Sequence, residues 1–174
     1  MELKQLLTDL LAIDSTSRLS NEPVVLYIEE YFNGSDVTCH RLQAHEEGKY
    51  NLLLTKGDPT EEGLTLCGHM DTVPASPERW TNSPWELTER DDKWYARGSC
   101  DMKGFDALAI WALVEAHYTK VTRPLQLALS FDEEIGCTGA PPMIVAMQGV
   151  IPVSYTLLTL PSTRDVVGNV MARS

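Results

Sequence analysis

Long apolar runs, an excess of basic residues and paired cysteines are all missing from this 174-residue chain. No apolar stretch approaches the roughly 20 residues that cross a bilayer, so we expect no membrane partner. The formal net charge of −11 disfavours nucleic acid and anionic membrane surfaces as partners. Glu2 and Lys4 come too early for a secretory signal. The four cysteines form no CxxC pair, which predicts reduced thiols in a cytoplasmic protein.

The apolar residues that are present alternate between helical and strand spacing. They predict helices over residues 2–13, 22–32, 102–118 and 143–147, strands over 37–42, 50–55, 64–68 and 125–131, and a hairpin over 85–97 around Asp91-Asp92. A strand, a long helix and another strand follow one another from residue 64 to 131, which indicates a right-handed crossover between parallel strands. We therefore predict an α/β fold with a mixed, largely parallel sheet flanked by helices.

Three consecutive acids follow the apolar strand that ends at Phe131: Asp132, Glu133 and Glu134. Open α/β sheets bind their ligands at the carboxyl ends of strands. Adjacent carboxylates repel one another, so a positive partner is expected, and a metal ion is the best candidate. The alternative is that these acids cap the next helix or lie in solvent.

Two more candidate groups begin near the ends of predicted elements. His69 and Asp71 follow the strand over 64–68, and Asp101 precedes the long helix. One histidine with several carboxylates suits Zn²⁺, Co²⁺ or Mn²⁺. Asp71 is too close to His69 to bind the same ion easily, but it could accept the second imidazole N–H. The alternatives are an ordinary histidine and an Asp101 that only caps the helix. Lys103 is expected to be solvated rather than to stabilise the carboxylates electrostatically.

Three motifs carry a resemblance to a known family. GHMDTVP (68–74), RGSCDMKG (97–104) and DEEIG (132–136) together resemble the dinuclear zinc aminoacylase and carboxypeptidase family. The segment RWTNSPWELTERDDKWYARGSCDMKGF (79–105) is similar to its acetylornithine deacetylase branch in particular. The order and spacing of the three motifs are more specific than any one of them alone.

The resemblance implies a role for each candidate residue. His69 and Glu134 would each bind one of two zinc ions, Asp101 would bridge both, Asp71 would orient the His69 ring, and Glu133 would be the general base. Cobalt could replace zinc. The implied substrate is a small N-acyl amino acid, namely N-acetylornithine in arginine biosynthesis, and the complete enzyme would be a homodimer.

Other readings of the function stay open. Within the family, the alternatives are a succinyl-diaminopimelate desuccinylase, a general aminoacylase or a carboxypeptidase. Outside catalysis, the alternative is a fragment that binds metal without turnover.

The resemblance stops near Pro152, which predicts a partial catalytic domain over 1–152 and a non-family tail over 153–174. Family members continue with a further carboxylate ligand, a lid domain and a last histidine ligand, whereas no Glu or His follows Pro152. The run VSYTLLTLPS also resembles the translation of a sequencing-library adapter. We therefore expect little or no activity from this chain by itself.

Overall fold

Helices and strands alternate along the part of the chain that the computed structural model describes, which is residues 2–118, 122–147 and 152–154. The helices are α1 (Leu3–Ala12), α2 (Glu22–Tyr31), α3 (Lys103–Tyr118) and α4 (Ala140–Met147). The strands are β1 (Val37–Gln43), β2 (Tyr50–Lys56), β3 (Gly63–His69), β4 (Thr88–Arg90), β5 (Lys93–Tyr95), β6 (Leu125–Ser130) and β7 (Pro152–Ser154). A single 3₁₀ turn covers Pro77–Arg79 in the described residues.

Five of these strands form one mixed sheet in the order β1-β2-β6-β3-β7. The pairs β1–β2 and β2–β6 are antiparallel, whereas β3–β6 and β3–β7 are parallel. α3 lies between β3 and its parallel neighbour β6 in the chain, which confirms the predicted crossover between parallel strands. Its right-handedness stays a prediction. The predicted α/β class with a mixed sheet flanked by helices is also confirmed, although the sheet is not largely parallel, because two of its four strand pairs among the described residues are antiparallel.

The small hairpin forms where the sequence predicts it. β4 and β5 pair antiparallel, with Asp91 and Asp92 between them at φ of 51° and 56°. Two successive residues with positive φ are the signature of a tight two-residue hairpin turn, and aspartate tolerates that conformation.

The central strands are buried on both faces of the sheet. Leu52, Leu54, Leu127 and Leu129 join α1, α2 and α3 in the main core. The intervening residues Leu53 and Ala128 face the other side and pack with Met143 of α4. Alternate side chains of a strand point to opposite faces, so β2 and β6 supply both clusters.

α4 begins three residues before the predicted helix over 143–147. Pro141 and Pro142 fall in its first turn, where a backbone N–H has no partner within the helix and proline is tolerated.

The predicted boundary between residues 152 and 153 falls inside β7. The rest of the predicted tail, residues 155–174, lies outside the described residues. No helix among the described residues is long and apolar enough to cross a membrane. All four cysteines lie in described segments, and they form no disulfide with one another.

Lys103 ties the start of α3 to the end of α1. Its side chain is 1% exposed, and Nζ donates hydrogen bonds to the carbonyl oxygens of Leu10 (2.8 Å) and Ile13 (2.6 Å). A cation at the carboxyl end of a helix satisfies free carbonyls and offsets the helix dipole. Burial lowers the pKa of Lys103 to about 8, although nearby Asp106 and Asp14 act in the opposite direction. The expectation that Lys103 is solvated was wrong, because α1 packs over the start of α3.

Replacing Lys103 with methionine should lower the free energy of unfolding by about 2 to 3 kcal/mol, because two buried carbonyls lose a charged donor. Methionine keeps most of the side-chain volume, so packing changes little. Urea unfolding measures the difference. The control is Lys4→Met, whose side chain is 53% exposed and pairs with Glu89 at the surface; it should cost at most about 1 kcal/mol. Equal losses in the two variants would contradict the capping role.

Candidate metal centre

The predicted ligand residues meet at one end of the sheet. β3 ends at His69, and the turn that carries Glu133 and Glu134 follows β6 directly. These strands are parallel neighbours, so their carboxyl ends lie side by side. Asp101 approaches from the segment just before α3. One ligand atom from each of His69, Asp101 and Glu134 lies within 4.8 Å of the other two.

The two ring nitrogens of His69 have different surroundings. Nε2 lies 3.1 Å from Asp101 Oδ1 and 3.7 Å from Glu133 Oε2. Nδ1 lies 3.0 Å from the Asp71 carbonyl oxygen and 3.4 Å from Asp71 Oδ1. Nε2 therefore faces the carboxylates of Asp101 and Glu133, while Nδ1 is held by Asp71. A metal-binding imidazole is usually oriented in this way, with its second nitrogen bound to a carbonyl or carboxylate oxygen.

The Asp71 carboxylate connects the site to two other segments. It accepts hydrogen bonds from the backbone N–H groups of Glu133 (3.0 Å) and Glu134 (3.2 Å) and from the Ser17 hydroxyl (2.7 Å). The Asp71 side chain is almost completely buried. The turn after β6 is thus fixed by its main chain, which leaves the side chains of Glu133 and Glu134 available to the cluster.

These contacts shift the protonation of the His69–Asp71 pair. Burial alone would lower the pKa of His69, but Asp71, Asp106 and Glu133 outweigh it and raise that pKa to about 9. Burial alone would raise the pKa of Asp71, but hydrogen bonds from His69, Ser17 and the Glu133 N–H lower it to about 2. For Glu134, burial and the nearby Asp101 carboxylate raise the pKa. The cluster therefore holds a proton where a divalent cation would satisfy the same negative charge.

The first of the three consecutive acids does not join the cluster. Asp132 is buried, and its Oδ1 accepts a hydrogen bond from Lys49 Nζ at 2.6 Å. The sequence predicted a positive partner for this acidic run, and a lysine supplies it for one acid of the three. The Glu133 side chain is 43% exposed beside His69, and Glu134 is half-buried.

Sequence reasoning missed three residues around the site: Ser17, Lys49 and Asp106. Ser17 and Lys49 reach it from loops that lie more than 50 residues away along the chain, and no local spacing marks them. Asp106 is buried in the first turn of α3, and burial raises its pKa to about 8. Among the described residues its Oδ1 has no hydrogen-bond partner. A side chain at Gly68 would lie 2.2 Å from that oxygen, so this approach requires glycine.

The donor set fits a hard or borderline divalent cation. It offers one imidazole nitrogen and several carboxylate oxygens, which are the ligands that Zn²⁺ and similar ions take in proteins. The ring of His69 is already oriented, and among the described residues no lysine or arginine forms a salt bridge with Asp101, Glu133 or Glu134. His69, Asp101 and Glu134 could therefore hold a metal ion.

A model of the protein family described as Peptidase family M20/M25/M40 matches residues 65–169. The chain belongs to this family. Its members are metal-dependent hydrolases that act on small peptides or acyl amino acids, and the metal is typically zinc.

Curated relatives named acetylornithine deacetylase are also similar in sequence. The protein from Photorhabdus laumondii is 52% identical over 93 residues, which cover 53% of this chain and 24% of that protein. The protein from Myxococcus xanthus is 37% identical over 152 residues, which cover 84% of this chain and 39% of that protein. The chain thus spans about a quarter to two fifths of the length of these relatives.

Solved structures share the fold. A metallo-carboxypeptidase of the M20 family from Sulfolobus solfataricus superposes with a TM-score of 0.73 at 21% identity, covering 84% of this chain and 34% of that one. Human carnosine dipeptidase 1 gives a TM-score of 0.68 at 22% identity, and the match covers 83% of this chain and 35% of that one. At these identities the likeness establishes the architecture alone.

We predict that the His69 imidazole of the chelator-treated chain titrates near pH 9, as measured by NMR of its ring nitrogens. Because the ordinary value is 6.5, the proton stabilises the folded state fully below pH 6.5, and this contribution is lost as pH rises through about 9. Asp71→Asn removes the adjacent negative charge, so the His69 pKa should fall. Titration of the unaltered ring near 6.5, or no change in Asp71→Asn, would contradict the prediction.

Proposed function

We propose that this chain forms part of the catalytic domain of a zinc-dependent deacetylase that removes the acetyl group from N-acetylornithine. The observation that carries the proposal is the meeting of His69, Asp101 and Glu134 within 4.8 Å, with the Glu133 carboxylate beside them. The curated relatives named above support the choice of substrate. Two zinc ions, a homodimeric whole enzyme and a cytoplasmic location belong to the same proposal.

His69 and Glu134 would each help to hold one zinc ion, and Asp101 would help to hold both. When bound, zinc supplies Lewis-acid chemistry, because it polarises an amide carbonyl and makes water more acidic. The neutral His69 needed for this role must release the proton that the metal-free cluster holds. Asp71 keeps the imidazole in place from the opposite side of the ring.

Glu133 is the proposed general base. Its carboxylate is 43% exposed and borders the ligand cluster, so it can reach both water and a bound amide. An ionised Glu133 would take a proton from the attacking water and deliver it to the departing amine. The hydrogen bond from its backbone N–H to Asp71 leaves the side chain free to turn toward the substrate.

Zinc binding tests the ligand assignment. Calorimetry with the 174-residue chain should show Zn²⁺ binding, and Asp101→Ala should weaken it about tenfold or more because an oxygen ligand is lost. Glu62→Ala is the control, since it removes one negative charge at an exposed site just before the start of β3, whereas His69 lies at the other end of that strand. An equal loss of Zn²⁺ affinity in both variants would show that only the net charge matters, and this would contradict the assignment. Absence of zinc binding would refute it.

Substrate choice is tested by completing the catalytic domain. We would replace the matching segment of the Myxococcus xanthus acetylornithine deacetylase with this chain and compare hydrolysis of N-acetylornithine and N-succinyl-diaminopimelate. The acetylated substrate should be preferred, and Glu133→Gln should reduce turnover by about 100- to 10,000-fold while zinc still binds. Preference for the succinylated substrate would contradict the proposed reaction, and a fully active Glu133→Gln variant would contradict the proposed base.

A further inference from the structure

The turn after β6 is held by a buried ion pair that includes none of the proposed ligand residues. Lys49 Nζ lies 2.6 Å from Asp132 Oδ1, and the two side chains are 2% and 4% exposed. The same oxygen accepts the backbone N–H of Arg18 at 3.2 Å. Removing two charges from water is costly, so a fully buried pair is poor evidence for extra stability. Its position beside the acid-bearing turn calls for another explanation.

Asn51 holds both ends of the same turn. Its Nδ2 donates to the carbonyl oxygen of Gly139 at 2.8 Å, and its Oδ1 accepts the N–H of Phe131 at 3.2 Å. Asn51 and Lys49 are two residues apart, and alternate residues of an extended strand share one face. A side chain at Gly139 would lie 2.5 Å from the Phe131 carbonyl oxygen, so the two ends of the turn meet closely.

The backbone inside the turn is constrained as well. Asp132 has φ of +49°, a left-handed conformation that a non-glycine residue adopts at some cost. Directly after it, the N–H groups of Glu133 and Glu134 point to the Asp71 carboxylate. The Asp132 side chain is thus bound to Lys49, while the backbone N–H groups of the next two residues are bound to Asp71.

We propose that Lys49, together with Asn51, is a positioning element that fixes the turn from Phe131 to Gly139 and so sets where Glu133 and Glu134 lie against His69. Neither residue contacts the ligand cluster. The expected effect on zinc binding rests on the proposed function. The contacts of Lys49 and Asn51 with the turn do not depend on any metal.

The test replaces both buried charges together. Lys49→Met with Asp132→Asn leaves no unpaired buried charge, and asparagine tolerates positive φ and can still accept the Arg18 N–H. The matched control is Lys56→Met with Asp36→Asn, the same exchange at a salt bridge on β2's other end. Thermal unfolding shows whether each variant is folded. Amide hydrogen exchange by NMR without metal, and Zn²⁺ calorimetry, then report on the turn.

In the folded site variant we expect the Glu133 and Glu134 amides to exchange about tenfold faster or more, and Zn²⁺ affinity to fall about 10- to 100-fold, as for other residues that support metal ligands. The control should change neither quantity. Unchanged exchange in the folded site variant, or faster exchange with unchanged zinc affinity, would overturn the proposal. If the unaltered chain binds no zinc, the proposed function fails, whereas the exchange data still decide whether the turn is held.

A second measurement covers the case in which the site variant does not fold. In the unaltered chain, the amides of Phe131, Glu133 and Glu134 should be protected and should open as one unit as mild denaturant is added. Rapid exchange of Glu133 and Glu134 while Phe131 stays protected would show that the turn is not held, and would overturn the proposal without any substitution.

Discussion

The Asp71 carboxylate is the contact on which the geometry of the site depends. It accepts two backbone amides from the turn after β6 and a hydroxyl from the loop after α1, and it borders the His69 ring. A carboxylate offers about four lone-pair directions, and the three hydrogen bonds use most of them. One buried anion thus joins three segments that are remote in sequence, so a displacement of any segment disturbs the imidazole.

Negative charge at this end of the sheet is divided among separate partners. Asp132 is neutralised by Lys49, and Asp71 is stabilised by His69 and its hydrogen-bond donors. Asp101 and Glu134 lie beside the His69 ring, which is the only cationic partner near them among the described residues. Asp132 and Asp71 are buried, whereas Asp101 and Glu133 beside the ring remain partly open to solvent. That separation is what distinguishes structural acids from those that could take a cation.

The sequence predicted most of the fold because its elements leave local patterns. Apolar periodicity located the four helices and the strands β1 to β6, whereas β7 was not predicted. The strand–helix–strand order implied the parallel β3–β6 pair that brings His69 to Glu134. The family motifs singled out the acids and the histidine. Ser17, Lys49 and Lys103 behave differently, because their roles arise from contacts with residues 54, 83 and about 90 positions away. The local sequence does not distinguish a buried lysine from a solvated one, and for this reason the prediction for Lys103 was wrong.

The mixed character of the sheet explains why a lysine can support the turn at all. In a purely parallel sheet, both neighbours of β6 would end beside its carboxyl end and would place more strand-end loops there. β2 instead runs antiparallel, with Leu52 opposite Leu129. Continuing that register places Asn51 of β2, and Lys49 just before it, beside the end of β6, where the acids begin. One neighbour of β6 therefore contributes the histidine, and the other contributes the groups that hold the turn.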